Sequence, residues 1–174
     1  MTQITVNGDT LLLGLGNPIL GDDGVGCAVA ELAGRILERT EGLTVMTASV
    51  SPVRLVDIVT GFERLIVVDS VTTGEHPPGT LMEMDFVRES LHPASVHHFS
   101  IGLIPEIANA LGLPCPETIR VYGIEIEPPG CYTDRLSAEI GSMVPSIAME
   151  LVDLEFNYMK DEHSNGTPRG ELAV

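Results

Sequence analysis

The sequence predicts an α/β fold, a three-layer sandwich in which helices cover both faces of a mostly parallel, five-stranded twisted sheet. Three observations predict it. The runs LLLGL at 11–15 and LIVVD at 65–69 are apolar throughout, as strands buried on both faces are, and lack the alternation of half-exposed strands. Helical patterns stand between such runs, and alternating strand and helix marks a layered α/β domain. The length of 174 residues suits one domain and can bury a core without staples.

Taken in order, residues 11–15 are the first strand. A helix over 24–39 follows, with Val25, Ala28, Val29, Leu32, Ile36 and Leu37 as its apolar stripe and Glu31, Arg35, Glu38 and Arg39 on the watered side. LTVMTA at 43–48 is the second strand. Pro52 opens and Gly61 closes a helix over 52–61, the usual start and stop residues. LIVVD is the third strand. TLMEMD at 80–85 alternates and reads as an edge strand. A helix over 100–112 is stopped by Gly112 and Pro114, and IRVYGI at 119–124 is the last strand. A long helix over 133–156, containing Pro145, ends the pattern. This gives a single domain over 1–156 and a polar tail over 157–174, expected to be disordered. No internal repeat is visible.

Composition narrows the function. Acidic residues number 25 and basic residues 9, for a net charge of −16, which argues against nucleic acid or an anionic membrane as partner. Lys160 is the sole lysine, so a P-loop or Schiff-base mechanism has no lysine in the folded domain. Aromatic residues are 4% and tryptophan is absent, a poor basis for base stacking. Cys27, Cys115 and Cys131 form neither CxxC nor CxxH pairs, so a structural zinc site is not expected and reduced thiols are. The N-terminus has no basic leader pattern, and no apolar run approaches the ~18 residues of a membrane span. The expectation is a cytoplasmic protein.

In doubly wound sheets, ligands bind beyond the carboxyl ends of the strands. Three sets of ionisable residues are expected there: Asp22 and Asp23 after the first strand, Asp69 ending the third, and His97 with His98 before the third helix. Carboxylates plus an imidazole can hold a divalent first-row metal. Each also has a structural reading, Asp22 as a helix N-cap and Asp69 as a satisfied strand-end carboxylate. Other chemistries fit less well. The stretch Gly14-Leu15-Gly16-Asn17-Pro18-Ile19 lacks the third glycine of a dinucleotide loop and precedes two acids. A phospho-receiver site needs a lysine near the last strand. No GxSxG elbow exists, and Cys27 reads as a small core residue.

The string GLGNPILGDDGVG at 14–26 resembles the opening loop of the hydrogenase maturation endopeptidases, and LIVVDSV at 65–71, SVHHFSI at 95–101 and VYGIEIEPP at 121–129 continue the resemblance. It covers roughly residues 10–155. It implies a cytosolic protease that removes a C-terminal extension from the large-subunit precursor of a [NiFe]-hydrogenase after nickel is loaded. It implies that Asp23, Asp69 and His97 bind nickel and are the catalytic set, with Asp22 matching the preceding acid and Asn17 the family's Gly-Asn pair. His97 is preferred to His98 because the family histidine stands four residues before an aliphatic position, here Ile101. The stretch 47–52 is similar to the branch serving soluble, cofactor-linked hydrogenases, which leaves the client open. The nickel would arrive with the precursor, so no resident metal is implied. The expected partner is that precursor, and the expected state is a monomer. The rival is a nickel metallochaperone or sensor with the same ligands and no protease activity.

Overall fold

The computed structural model describes residues 5–50, 52–84, 101–130 and 132–157. The elements are β1 (Thr5–Leu15), α1 (Val25–Ile36), β2 (Glu41–Ala48), α2 (Pro52–Val59), β3 (Arg64–Val71), β4 (Leu81–Met84), α3 (Ile104–Leu111), β5 (Thr118–Glu125) and α4 (Ala138–Val152). They form one five-stranded sheet in the order β2-β1-β3-β5-β4. The first four strands of that order are parallel, and β4 lies antiparallel to β5 at the edge. This is the α/β architecture expected from the sequence, and the TLMEMD stretch takes its edge position.

Alternate residues of the central strands β1 and β3 enter opposite cores, which is why LLLGL and LIVVD read as unbroken apolar runs. Leu12, Ile66, Val68, Tyr122 and Ile124 pack with Val29 and Ala33 of α1 and Ile147 and Leu151 of α4. Leu11, Leu13, Leu65, Val67 and Val121 pack with Leu55 and Val59 of α2 and Ile104 and Ala108 of α3. The inward stripe of α1 runs Val25, Gly26, Val29, Ala30, Ala33. Ile36, expected inside, is 42% exposed, because α1 ends there and the chain turns through 37–39 toward β2. Among the described residues, no helix is long and apolar enough to cross a membrane.

β1 and α4 depart from expectation. β1 starts at Thr5, not residue 11. Its first half contains Gly8 and Asp9, poor strand formers, and its register with β2 shifts between Thr5 and Thr10. α4 starts at Ala138 rather than 133, because Thr133 bonds the loop after β1 and the Ser137 side chain accepts the Ile140 N–H as N-cap. Pro145 lies inside α4. After Val152 the chain widens into a π-type turn over Asp153–Asn157. Of the tail expected over 157–174, Asn157 closes this turn, and residues 158–174 lie outside the described residues.

The strand order fixes where a site can form. β1 is flanked by β2 on one side and β3 on the other, so the chain leaves it in opposite directions. The crevice beyond the carboxyl ends of β1 and β3 is thus the topological switch point, the usual ligand position in such sheets.

Candidate functional site

The loop after β1 reaches this crevice because glycines let three backbones approach. A Cβ on Gly16, whose φ is 142°, would stand 2.1 Å from the Asp23 carbonyl oxygen. A Cβ on Gly26 would meet the Leu15 and Val68 carbonyl oxygens at 2.4 and 2.5 Å and the Asp69 Cα at 3.0 Å. Glycine at both positions therefore seats the start of α1 directly on the ends of β1 and β3. That is the physical content of the glycine-rich opening motif. The short 3-10 turn Gly21–Gly24 then presents Asp22 and Asp23.

Asp23 is held at both carboxylate oxygens. Its Oδ2 accepts the Asn17 N–H at 2.8 Å, and its Oδ1 accepts the Ser70 hydroxyl at 2.8 Å. The Ser70 backbone N–H donates to Asp69 Oδ1 at 2.9 Å. Asp69 is fully buried and Ser70 is 2% exposed. The structure thus brings Asp23 and Asp69 together, as the sequence predicts, and joins them through a serine that sequence reasoning did not single out. Its signal was only its place after a strand-end aspartate.

Asp22 faces a different task. Its Oδ1 accepts the Ser137 N–H at 2.6 Å, so it ties the loop to the residue that caps α4. It does not cap α1, whose N-cap is Gly24 without a side-chain bond. The same tie is reinforced by main-chain bonds between Ile19, Gly21 and Thr133. Glu125 at the end of β5 was also missed. It is 2% exposed and accepts the Thr73 hydroxyl at 2.5 Å and the Gly74 N–H at 2.9 Å, while its backbone bonds Gly79 and Thr80. Glu125 thus holds both ends of the loop between β3 and β4.

Cys27 lies one turn into α1, with its thiol 3.6 Å from the Gly14 carbonyl oxygen. Burial first, then the negative charges of Asp69, Glu31 and Asp23, push this thiol up to about 11. It stays protonated at neutral pH and is a poor nucleophile. Alkylation of Cys27 by iodoacetamide, followed by peptide mapping, is expected to quicken about tenfold per pH unit from pH 7 to 10. A rate that levels off by pH 8 would contradict this. Two carboxyl groups joined through Ser70 at the switch point make a setting that suits a cation.

Among the described residues, no three His, Cys, Asp or Glu side chains converge closely enough to hold a metal ion by themselves. His97 and its neighbour His98, the third member expected, lie outside the described residues. Asp23 and Asp69 are therefore the part of the set whose placement is given, and oxygen ligands of this kind suit an ion with open positions.

No protein-family model and no curated relative matches the sequence. Solved structures do match. The hydrogenase maturating endopeptidase HybD from E. coli aligns over 83% of this chain and 90% of its own, with a TM-score of 0.66 and 19% identity. The [NiFe] hydrogenase maturation protease HybD from Thermococcus kodakarensis aligns over 83% and 97%, with a TM-score of 0.61 and 27% identity. The [NiFe] hydrogenase maturation protease HycI from Thermococcus kodakarensis KOD1 aligns over 84% and 92%, with a TM-score of 0.65 and 18% identity. The chain has the fold of these proteins over nearly their whole length.

Proposed function

We propose that this chain is a hydrogenase maturation endopeptidase, which cuts the C-terminal extension from a [NiFe]-hydrogenase large-subunit precursor after nickel insertion and recognises the bound nickel. The observation that carries this reading is the meeting of Asp23 and Asp69 at the switch point of a sheet shared with proteins named for that activity.

Nickel belongs to the substrate. Asp23 and Asp69, with His97, would offer oxygen and nitrogen ligands to the positions that the precursor's own ligands leave open. Contact there would hold the nearby scissile bond against the protease and make cleavage effectively intramolecular. Orientation of this kind is worth roughly 7 kcal/mol at the low end of measured cases. Water is the nucleophile that fits. It adds to the scissile carbonyl, the C–N bond breaks, and the leaving amine takes the proton. No covalent intermediate is expected, since burial and nearby acids push the Cys27 thiol up. A resident metal is not required. The protein acts in the cytoplasm as a monomer, binds its client transiently, and uses neither nucleic acid nor a membrane. Its acidic surface serves solubility first.

Intact mass spectrometry of the loaded precursor encoded alongside this chain tests the reaction class. Loss of a C-terminal fragment is expected. Binding of the precursor without any loss of mass would instead favour the metallochaperone.

A further inference from the structure

We propose that Ser70 is a positioning residue that turns Asp23 toward the nickel of the precursor and so sets how well loaded precursor is told from unloaded. The role rests on the function proposed above. Neighbouring residues of a strand point to opposite faces. In β3, Val67 and Val71 enter the core under α2 and α3, and Ile66 and Val68 enter the core under α1 and α4. Asp69 therefore belongs to the first face and Ser70 to the second, where the loop carrying Asp23 lies. The two acids approach the strand end from opposite faces, and Ser70 links them. Its hydroxyl donates to Asp23 Oδ1 at 2.8 Å and its N–H to Asp69 Oδ1 at 2.9 Å.

Consequences follow for Asp23. One oxygen is fixed by the Asn17 N–H and the other by the Ser70 hydroxyl, so the carboxylate cannot swing about its own axis. Each oxygen keeps a second lone pair, and its direction is set by the bond already made. With the hydroxyl removed, one oxygen loses its guide, while the backbone bond from residue 70 to Asp69 survives. The Ser70 hydroxyl is spent on Asp23 Oδ1, so its effect passes through Asp23.

The experiment compares wild type, Ser70→Ala and Ser70→Thr for affinity toward nickel-loaded and nickel-free precursor, with cleavage followed by intact mass. Removing partners that orient metal ligands typically costs 10- to 100-fold in affinity or activity. Ser70→Ala is expected to weaken binding of the loaded precursor by about that factor, seen as a raised KM, and to leave nickel-free binding unchanged. Ser70→Thr, which keeps the hydroxyl, is expected to recover most of the loss. Equal weakening toward both precursor forms would assign Ser70 a purely structural role and overturn the proposal. So would unchanged affinity in Ser70→Ala, or no recovery in a Ser70→Thr protein with wild-type Tm. A wild-type protein that neither distinguishes nor cleaves the loaded precursor would sink the proposed function itself, an outcome separate from these.

Discussion

Asp23→Ala is expected to stop processing of the nickel-loaded precursor, lowering kcat/KM by about 100-fold or more, while the protein stays folded. Misplacing a reacting group by about 1 Å already costs about that much, and here an entire ligand is lost. Asp23 is the acid whose two oxygens are oriented by bonds from Asn17 and Ser70, so its direction is fixed before substrate arrives. The substitution leaves the Asn17 N–H and the Ser70 hydroxyl without this acceptor, which costs about 1–3 kcal/mol for the buried hydroxyl and less for the half-buried N–H. That is a tolerable fraction of the stability of a domain this size. Asp23→Asn keeps the volume and one acceptor oxygen, and should fold better while remaining inactive. Asp22→Ala gives the contrast. Asp22 bonds the α4 cap and not Ser70, so its loss should weaken the loop and lower activity far less. Single-turnover cleavage with circular dichroism on the same samples decides it. Wild-type rates for Asp23→Ala would remove Asp23 from the site.

Glu155→Ala is expected to be the most destabilising change away from the site, by about 3–5 kcal/mol. Glu155 is 1% exposed, in the π-type turn after α4. It forms a close ion pair with Arg64, whose side chain is 11% exposed, and lies 3.8 Å from Arg120. It also accepts the Tyr122 hydroxyl at 2.5 Å. Burial, then this bond to Glu155, raises the Tyr122 hydroxyl well above its ordinary range. Alanine would remove the acceptor shared by a largely buried guanidinium and a buried hydroxyl, and breaking a buried pair by deleting one partner is costly. For a chain of this size that corresponds to a fall in Tm of about 10 °C. Arg64 begins β3 and Arg120 lies in the first half of β5, with Tyr122 at mid-strand, and none of the three bonds Asp23 or Ser70 among the described contacts. Cleavage by the folded fraction below the lowered Tm should therefore match wild type. A Tm change under about 2 °C would show that Glu155 does not hold α4 to the sheet.

How far the fold was legible follows from where local and tertiary forces agree. LIVVD and LLLGL are buried on both faces, so hydrophobicity alone marks them. The TLMEMD edge was legible because one side meets water. The first half of β1 was not, because Gly8 and Asp9 sit where pairing with β2 shifts register. The start of α4 was misplaced for a tertiary reason: Thr133 is captured by Ile19 and Gly21 from the far end of the chain. Nothing local announces that contact.

The site shows the same division. Asp23 and Asp69 could be nominated from strand ends and from the family resemblance. The glycines at 16 and 26 make sense only with carbonyl oxygens less than 3 Å from where a Cβ would be. Ser70 and Glu125 were illegible because a serine or a glutamate acquires meaning from its partner. Ser70 finds Asp23 47 positions away, and Glu125 finds Thr73 52 positions away. Asp22 carried the same letter as Asp23 and turned out to serve a cap.

The central claim is that nickel in the client guides the cut. It is tested most directly by incubating this protein with nickel-loaded and nickel-free forms of one precursor and weighing both by intact mass spectrometry. The account predicts loss of a C-terminal fragment from the loaded form alone. Equal cleavage of the two forms would contradict it.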